Sequence, residues 1–381
     1  MPHKFEPTKE IIIHSIKSFQ HFLRNGLSLK NCTLQHIDFS KIDITWQNLK
    51  IKNTAFLGCQ LKIEQEIYLR RQGATIINAP TNLPYQPFRS QLYDWKELMK
   101  GYSVEKDEST DYKIYRHFSK QKYTPSINEA LWQRIHDHAM DDALRVLLKF
   151  DENGMTNKKC VGVMGGHSTR RDDPFYVKSA LTAKLLTEND YLIASGGGPG
   201  IMEATNLGAY FAGKSEATLL NAIKTLQKAP HYADKKFHQQ AFKVLDKYPA
   251  GAKSLAIPTW FYGHEPSNLF ASHIAKYFSN SIREDTLLAV SLYGIICAPG
   301  SAGTVQEIFM DATQNHYGTF NYISPMVFLG KEHYSVKTMI YPLLRQLAWG
   351  KKYYDLLHIT DEPTEVLSFL QNHPPFKTQK N

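Results

Sequence analysis

Two glycine-rich segments, each directly after a short apolar run, are the first candidates for chemistry. They read Ser195-Gly196-Gly197-Gly198-Pro199-Gly200 and Pro299-Gly300-Ser301-Ala302-Gly303-Thr304. Where a strand leads into a helix, backbone amides free of side-chain bulk and aligned with the helix dipole bind anions. The two segments therefore predict a site for a nucleotide phosphate at the carboxyl edge of a sheet. The alternative is that these glycines serve only tight turns.

Other ligand-binding motifs are absent or out of place. Ile201 stands where the third glycine of a GxGxxG dinucleotide motif would fall, which disfavours a nicotinamide dehydrogenase. The stretch from Gly208 to Ser215 matches GxxxxGKS, but it ends a predicted helix, with Gly213 as the expected C-cap. No HExxH motif, cysteine cluster or acidic loop indicates a metal, so neither a metal nor a cofactor is expected.

From Cys160 onward, short apolar runs alternate with helical stretches, which is typical of parallel βαβ units. Strands are predicted at CVGVMGG, YLIASGGG, KSLAIP, GIICAPG, PMVFLG and LHIT. Helices are predicted from Asp173-Pro174 to about Thr187, from Pro199, and from Pro363 to Leu370. The expected fold class is α/β, a Rossmann-like doubly wound parallel sheet. Residues 215–248 form a lysine-rich, helix-prone insertion, for which a partner interface and a lid are both open.

Nearer the N-terminus, between Asn31 and Leu61, every fifth side chain is apolar. The series is Leu34, Phe39, Ile44 and Leu49, and after a shift of two residues it resumes at Phe56 and Leu61. Two places before these stand mostly small or apolar residues, namely Cys32, Ile37, Ile42, Thr54 and Cys59, with Gln47 as the exception. The pattern resembles pentapeptide repeats, whose stacked β-helical coils point every fifth side chain inward. A pair of irregular hairpins is the alternative.

Between the repeats and the βαβ region, we predict a linker and a helical segment. The prolines of residues 79–89 exclude a helix or a central strand, and the polar run 105–111 is a second break. Ser126 and Glu129 have capping-box spacing and begin a long amphipathic helix expected to end near Asn153-Gly154. Its apolar face is predicted to carry Leu131, Ile135, Ala139, Leu144 and Leu147. The predicted domains are residues 1–88 with the repeats, 89–157 as a helical connection, 158–373 as the Rossmann-like domain, and 374–381 as a tail.

Composition favours an intracellular protein that binds small ligands. The 381 residues carry a net charge of +9, but the basic residues are dispersed and no nucleic-acid-binding motif accompanies them. The cysteines are unpaired in sequence and are predicted to be buried thiols: Cys32, Cys59, Cys160 and Cys297. The start MPHKFEPTKE lacks the apolar region of a signal peptide, and no apolar stretch approaches the length of a membrane span. We expect a cytoplasmic protein that binds neither nucleic acid nor membrane.

Three motifs, GVMGGHS, SGGGPGIMEA and PGSAGTVQE, together resemble a known family. At these spacings they are similar to the LOG family of phosphoribohydrolases, often mislabelled lysine decarboxylases, and to the related bacterial nucleotide 5′-monophosphate nucleosidases. The resemblance covers about Lys158 to Leu370. It implies a Rossmann-like domain that hydrolyses the N-glycosidic bond of nucleoside 5′-monophosphates to a free base and ribose 5-phosphate. It also implies a homo-oligomer, a dimer or larger.

The family signature is PGGxGTxxE with an arginine on the preceding helix, and the resemblance assigns roles accordingly. Glu307 falls on the catalytic glutamate and Arg283 on the upstream arginine. Two residues depart from the pattern, because Ser301 replaces a glycine and Glu284 replaces the lysine that usually follows the arginine. The residues expected to hold the phosphate, ribose or base are Gly197, Gly198, Met202, Glu203, Gly300, Ser301, Ala302, Gly303, Thr304, His167 and Ser168. Core packing remains an alternative for Met202, as does a structural role for His167.

The residue types suit that chemistry independently of the family. Cleavage of a ribosyl bond passes through an oxocarbenium-like state, which a carboxylate stabilises while it orients or deprotonates water. Glu307 would lie about one turn inside the helix after the second glycine segment, and Arg283 would clamp the phosphate or ribose. The leading hypothesis is a nucleoside 5′-monophosphate hydrolase without a cofactor. A non-catalytic nucleotide-binding sensor is the alternative, and lysine decarboxylation would need pyridoxal phosphate.

Overall fold

The computed structural model describes residues 10–24, 26, 28–78, 80, 82–151 and 154–378. The chain divides into two units, with the boundary between Ser90 and Gln91. The first unit contains the repeats and the second contains the βαβ region.

The first unit is built from short parallel strands. Its elements are β1 (Ile11–Ile13), α1 (Ile16–Arg24), β2 (Ser28–Lys30), β3 (Cys32–Gln35), β4 (Lys50–Lys52), β5 (Ala55–Leu57), α2 (Ile63–Arg71) and β6 (Thr75–Ile77), with a 3-10 turn at Trp46–Asn48. One sheet has the order β1-β3-β5-β6 and a second pairs β2 with β4. All of these pairs are parallel.

The register of these pairs identifies stacked coils. Thr33 pairs with Ala55 and Ser28 pairs with Lys50, so both partners stand 22 positions further along the chain. A hairpin would pair its strands antiparallel, whereas a β-helix stacks each coil in parallel on the previous one. The pentapeptide interpretation is therefore confirmed for the described residues, and the hairpin alternative is wrong.

Every fifth side chain does fill the interior of this unit. Leu34, Phe39 and Phe56 are fully buried and Leu49 nearly so, while Ile44 and Leu61 are half-buried. Phe39 lies at the centre of an aromatic cluster, with ring centroids 5.1 Å from Phe19, 5.4 Å from Trp46 and 6.1 Å from Phe56. Gln47 is exposed because it belongs to the 3-10 turn, in which Trp46 enters the core instead.

The predicted linker has no helix or strand at residues 80 and 82–90, while Ala79 lies outside the described residues. It is nevertheless attached to the first unit. The buried Phe88 ring lies against Gly58, and the amide of Gln86 is 3.0 Å from a ring nitrogen of His36. These contacts explain why the segment groups with the repeats.

The second unit is a parallel α/β domain. Before the sheet come α3 (Trp95–Leu98), α4 (Thr110–Ser119) and α5 (Ile127–Leu148). The alternating region consists of β7 (Lys159–Met164), α6 (Pro174–Glu188), β8 (Tyr191–Ser195), α7 (Ile201–Tyr210), α8 (Glu216–Leu226), α9 (Phe237–Lys247), β9 (Leu255–Ala256), β10 (His273–Ile274), α10 (Asn280–Val290), β11 (Ile295–Cys297) and α11 (Ala302–Tyr317). It continues with β12 (Tyr322–Ile323), β13 (Met326–Leu329), α12 (Ile340–Ala348), β14 (Leu357–Thr360), α13 (Pro363–Asn372) and β15 (Phe376–Lys377).

The main sheet has the order β10-β9-β8-β7-β11-β13-β14, and every pair in it is parallel. The order runs outward from β7 in one direction and then from β11 in the other, so the topological switch lies between these two strands. This confirms the doubly wound Rossmann-like class. Each of the six predicted strands is present. The edge strand β10 was missed because its two residues are too few to give a periodic signal.

The structure also shows what the predicted tail, the GxxxxGKS pattern and the predicted insertion form. β15 pairs antiparallel with β12, so the predicted tail is partly structured, and residues 379–381 lie outside the described residues. The GxxxxGKS pattern marks a helix end, as expected, but α7 ends at Tyr210 and its C-cap is Phe211, so the prediction of Gly213 as the C-cap is wrong. The insertion supplies α8 and α9, whose Leu219 and Val244 share a core with Tyr176 of α6. The insertion is therefore built into the core of this unit.

Helix α5 begins as predicted but ends earlier, and its predicted apolar face is buried at Ala139 and Leu144 and half-buried at Ile135 and Leu147. The Ser126 hydroxyl accepts a hydrogen bond from the amide of Glu129 at 3.2 Å. The helix ends at Leu148 because Lys149 adopts a left-handed conformation with φ 52°, and Asn153 of the expected end lies outside the described residues. Leu131, predicted on the apolar face, is 39% exposed.

Polar side chains share the buried face of α5 with the apolar ones. His136 is fully buried, with Nε2 2.9 Å from the Tyr93 hydroxyl. Asp137, also buried, accepts hydrogen bonds at 2.9 Å from the amides of Phe278 and Ser279, just before α10. Two charged or titratable side chains thus face the interior, where an apolar periodicity would not place them.

The central position of Phe39 predicts the stability of the first unit. Replacing Phe39 by alanine should lower the free energy of unfolding of this unit by about 3–5 kcal/mol, because the surrounding rings cannot close the cavity. Urea denaturation followed by tryptophan fluorescence measures the loss. Ile63→Ala, at a side chain that is 75% exposed, is the control and should change little. Equal effects of the two variants would contradict the buried aromatic core.

Candidate functional site

The carboxyl ends of β7, β8, β9 and β11 open onto one cleft. Gly165, Gly166 and His167 follow β7, Gly196 and Met202 follow β8, and the segment after β9 supplies Pro258, Thr259, Tyr262 and Glu265. Arg283 comes from α10, while Ser301, Gly303, Thr304 and Glu307 come from the start of α11. The cleft lies at the topological switch, where ligands bind in doubly wound sheets.

The structure brings together most of the residues singled out from sequence. Seven of them line the cleft, namely His167, Met202, Arg283, Ser301, Gly303, Thr304 and Glu307. Six others do not line it, namely Ser168, Gly197, Gly198, Glu203, Gly300 and Ala302. A Cβ at position 197 would collide with Pro258, and one at position 300 would collide with the Thr304 side chain. Both glycines therefore pack inside their loops and do not face the cleft.

Backbone hydrogen bonds join the loops after β7, β8 and β11. The amide of Gly166 donates to the carbonyl of Pro299 at 3.0 Å, and the amide of Ile201 donates to the carbonyl of Gly166 at 3.1 Å. Gly200, the N-cap of α7, has φ 70°, and a Cβ there would collide with the Gly166 carbonyl. Glycine at 200 is therefore required for this junction.

The start of α11 offers the freer anion site. Ser301 is its N-cap but makes no side-chain capping hydrogen bond, and the space beside Gly303 is open. By contrast, the first amide of α7 is already bonded to Gly166. The positive end of a 16-residue helix therefore faces the cleft next to the Ser301 hydroxyl. Of the two glycine segments, the second is the one suited to an anion, and the first mainly shapes the cleft.

Arg283 is held by three acceptors from different elements. Its Nε donates to the Ile257 carbonyl at 2.7 Å, Nη2 to the Gly196 carbonyl at 3.3 Å, and Nη1 to Oε1 of Glu307 at 3.2 Å. A Cβ at position 196 would collide with Nη2, so only glycine leaves room for the guanidinium. The first glycine segment thus makes room for the arginine side chain and accepts one of its hydrogen bonds.

Glu307 is a carboxylate at the edge of the cleft with 13% of its side chain exposed. Burial raises its pKa above the ordinary value, Arg283 opposes this by favouring the charged form, and Glu284 adds to the increase. A carboxyl group with a raised pKa and an arginine partner can accept a proton from water and return it at neutral pH.

Glu284, which replaces the family's lysine, does not line the cleft. Its carboxylate accepts hydrogen bonds from Asn280 Nδ2 at 2.7 Å and Gln306 Nε2 at 2.9 Å, and from the Tyr262 hydroxyl at 3.4 Å. The departure from the family pattern therefore links α10, α11 and the segment after β9. Glu284 affects Glu307 only through its negative charge, which raises the pKa of Glu307.

Glu203 is buried on the far side of α7 instead of binding a ligand. Arg171 donates to both of its oxygens, from Nε at 2.8 Å and from Nη2 at 2.5 Å. The Tyr176 hydroxyl donates to it at 2.8 Å. The other Arg171 nitrogen, Nη1, donates to the Ala229 and Phe237 carbonyls at 3.1 Å. This fully satisfied pair ties the insertion to α7, and it excludes Glu203 from the cleft.

The segment after β9 is fixed by a second buried carboxylate. Asp111, 1% exposed, accepts hydrogen bonds from Trp260 Nε1 at 2.7 Å and Ser267 Oγ at 2.5 Å. It also binds Lys276 Nζ at 2.8 Å. Burial opposes ionisation of Asp111, but the adjacent Lys276 and the Ser267 hydroxyl lower its pKa below the usual range. Both ends of the loop that carries Tyr262 and Glu265 are therefore anchored.

Sequence reasoning missed the contribution of this loop to the cleft. Pro258 ends the predicted strand KSLAIP and Thr259 directly follows it, so the rule that ligands bind at carboxyl ends could have found them. Tyr262 and Glu265 lie in an irregular loop without periodicity, which carries no such signal. Among the described residues, no group of three or more His, Cys, Asp or Glu side chains is placed to hold a metal ion. No helix in the described ranges is both long and apolar enough to traverse a lipid bilayer.

The contact between Gly196 and Arg283 predicts a strong effect of one methyl group. Gly196→Ala should displace the guanidinium and lower the free energy of unfolding by about 1–3 kcal/mol. Gly303→Ala is the matched control, because its Cβ would enter open space in the first turn of α11 and should leave stability unchanged or slightly higher. Thermal denaturation compares the two. A Gly196→Ala protein as stable as the control would contradict the tight contact.

Comparison with known proteins gives structural similarities only. No protein-family model and no curated protein matches the sequence. A molybdenum cofactor carrier protein from Chlamydomonas reinhardtii is 13% identical over 57% of this chain and 98% of that chain, with a TM-score of 0.36. A molybdenum cofactor binding protein from Rippkaea orientalis is 15% identical over 57% and 97%, with a TM-score of 0.35. Likeness at this level supports no argument about what the chain binds.

Proposed function

We propose that this chain hydrolyses the N-glycosidic bond of nucleoside 5′-monophosphates such as AMP, releasing the free base and ribose 5-phosphate without a cofactor. The observation that carries the proposal is the Arg283–Glu307 pair, with Nη1 and Oε1 3.2 Å apart, on the cleft that the start of α11 also lines. An anion site and a partly buried carboxylate on one cleft match the two ends of a ribose 5-phosphate.

The phosphate binds at the start of α11. Ser301, Gly303 and Thr304, from the N-cap and first turn of α11, all line the cleft there. The helix dipole favours the negative charge, and glycine at 303 lets the phosphate approach the backbone. Serine at 301 adds a hydroxyl donor in place of the family's glycine, so this departure is compatible with phosphate binding.

Glu307 acts on the reacting carbon. It orients a water molecule, whose oxygen forms a bond to C1′ as the C1′–N bond breaks and its electron pair passes to the base. The proton of the water passes to Glu307 and from there to the departing base, so no cofactor is required. The negative carboxylate also stabilises the positive charge that develops on the ribose.

Arg283 is a positioning residue for this carboxylate. Its bonds to the Ile257 and Gly196 carbonyls fix the guanidinium, and its bond to Oε1 then fixes Glu307. The same positive charge opposes the increase in the pKa of Glu307 that burial causes, and so favours the ionised form that accepts a proton. The resemblance of PGSAGTVQE to the family signature supports the same assignment.

Glu307→Gln separates catalysis from binding. The amide keeps the shape of the side chain but cannot take a proton, so turnover should fall by about 100-fold to 10,000-fold. Purified protein is incubated with each nucleoside 5′-monophosphate, and the free base is measured by chromatography. Calorimetry should show that AMP still binds the variant.

Glu216→Gln is the control, because this glutamate is exposed at the start of α8 and should not affect turnover. If the unmodified protein binds these nucleotides and releases no base from any of them, the hydrolase proposal fails. That result would favour the nucleotide-binding sensor.

A further inference from the structure

Glu265 is a cleft-lining carboxylate without a partner in the described part of the chain. It lines the cleft and is half-buried, yet it forms no hydrogen bond or ion pair with any described residue. The neighbouring carboxylates are all engaged, Glu307 by Arg283 and Glu284 by Asn280 and Gln306. Both oxygens of Glu265 are therefore available to a ligand.

The position of Glu265 is fixed by its loop. Asp111 binds Trp260 on one side of it and Ser267 on the other. Asn268 Nδ2 then donates to the Met202 carbonyl at 3.2 Å, which ties the loop to α7. Oε2 of Glu265 lies close to Gly198, since a Cβ at 198 would be 2.8 Å from it. An unpaired carboxylate on an anchored loop is a preorganised hydrogen-bond acceptor.

The loop that carries Glu265 and the start of α11 follow strands that are not neighbours in the sheet. The loop of Glu265 follows β9, and β8 and β7 separate β9 from β11, which leads into α11. Three strand spacings of about 4.8 Å separate the ends of β9 and β11 by about 14 Å. The Arg283–Glu307 pair bridges the two strand ends, because Arg283 bonds to Ile257 after β9 and Glu307 comes from α11. A nucleotide with its phosphate at α11 and C1′ at Glu307 directs its base toward Glu265.

An ionised carboxylate only accepts hydrogen bonds. We propose that Glu265 is a specificity-determining residue that selects nucleotides whose base carries an exocyclic amine. An amine donates to the carboxylate, whereas a base without one leaves a desolvated charge unpaired, which is costly. The inference rests on the proposed function for the placement of the nucleotide.

Two pairs of nucleotides test this inference, because the members of each pair differ by one amine. AMP and purine riboside 5′-monophosphate differ only in the 6-amino group, and GMP and IMP only in the 2-amino group. The ratio of kcat/KM within each pair is measured for the unmodified protein, Glu265→Ala, Glu265→Gln and the exposed control Glu216→Ala. Binding of the same four nucleotides is measured by calorimetry in the Glu307→Gln background, where turnover does not interfere.

The amine-bearing nucleotide should be preferred by roughly tenfold to hundredfold in at least one pair. Glu265→Ala should bring that ratio close to one, Glu265→Gln should keep part of it through its carbonyl oxygen, and Glu216→Ala should leave it unchanged. A ratio close to one in both pairs, or a preference that survives Glu265→Ala, would overturn the inference.

The remaining outcomes separate the two proposals. If no nucleotide is hydrolysed but the binding preference exists and disappears in Glu265→Ala, the proposed function fails and the role of Glu265 stands. Glu265→Ala could instead leave the kcat/KM ratio within both nucleotide pairs unchanged and alter discrimination between AMP and 2′-deoxy-AMP. In that case the carboxylate binds the ribose diol and the inference is wrong. Hydrolysis without any amine preference would leave the hydrolase proposal intact and reject the role of Glu265.

Discussion

Arg283 connects the parts of the cleft through a single guanidinium group. Its three bonds reach the end of β9 at Ile257, the first glycine segment at Gly196 and the carboxylate of Glu307 on α11. A guanidinium keeps its donors in one rigid plane, so these three elements cannot move independently while it is bound. The absence of a side chain at Gly196 is the condition for this arrangement. The geometry of the proposed reaction therefore depends on one buried cation and on the space left for it.

Two other buried ion pairs play a comparable part away from the reacting carbon. Asp111 with Lys276 anchors the loop after β9, and Arg171 with Glu203 anchors the insertion to α7. Breaking one partner of such a pair leaves a buried charge uncompensated, which is strongly destabilising. These pairs hold polar segments that apolar packing would leave loose. They explain how a cleft made of loops can present its functional groups in fixed positions, including Glu265 on the loop held by Asp111.

The periodic features of this protein could be predicted from its sequence, and the polar interior could not. A five-residue repeat such as that of Leu34 encodes burial directly, and strand-to-helix glycine segments mark the carboxyl edge of a parallel sheet. Glu307 was singled out because PGSAGTVQE resembles the family signature that carries the catalytic glutamate, and the structure places this residue on the cleft. Glu203 was expected from the resemblance to line the base or ribose pocket, but its burial depends on Arg171, which stands 32 positions away in the sequence. The burial of His136 likewise depends on its contact with Tyr93. The availability of Glu265 depends on its having no partner among the described residues, which only the folded chain reveals.

The central claim is that a nucleoside monophosphate lies across this cleft with its phosphate on α11 and its C1′ at Glu307. A crystal structure of the Glu307→Gln protein with AMP tests it most directly. The account predicts phosphate oxygens hydrogen-bonded to the Ser301 hydroxyl and to amides of the first turn of α11, with C1′ facing the side chain at position 307. AMP bound elsewhere, or in this cleft with its base at α11 and its phosphate at the far end, would contradict the account.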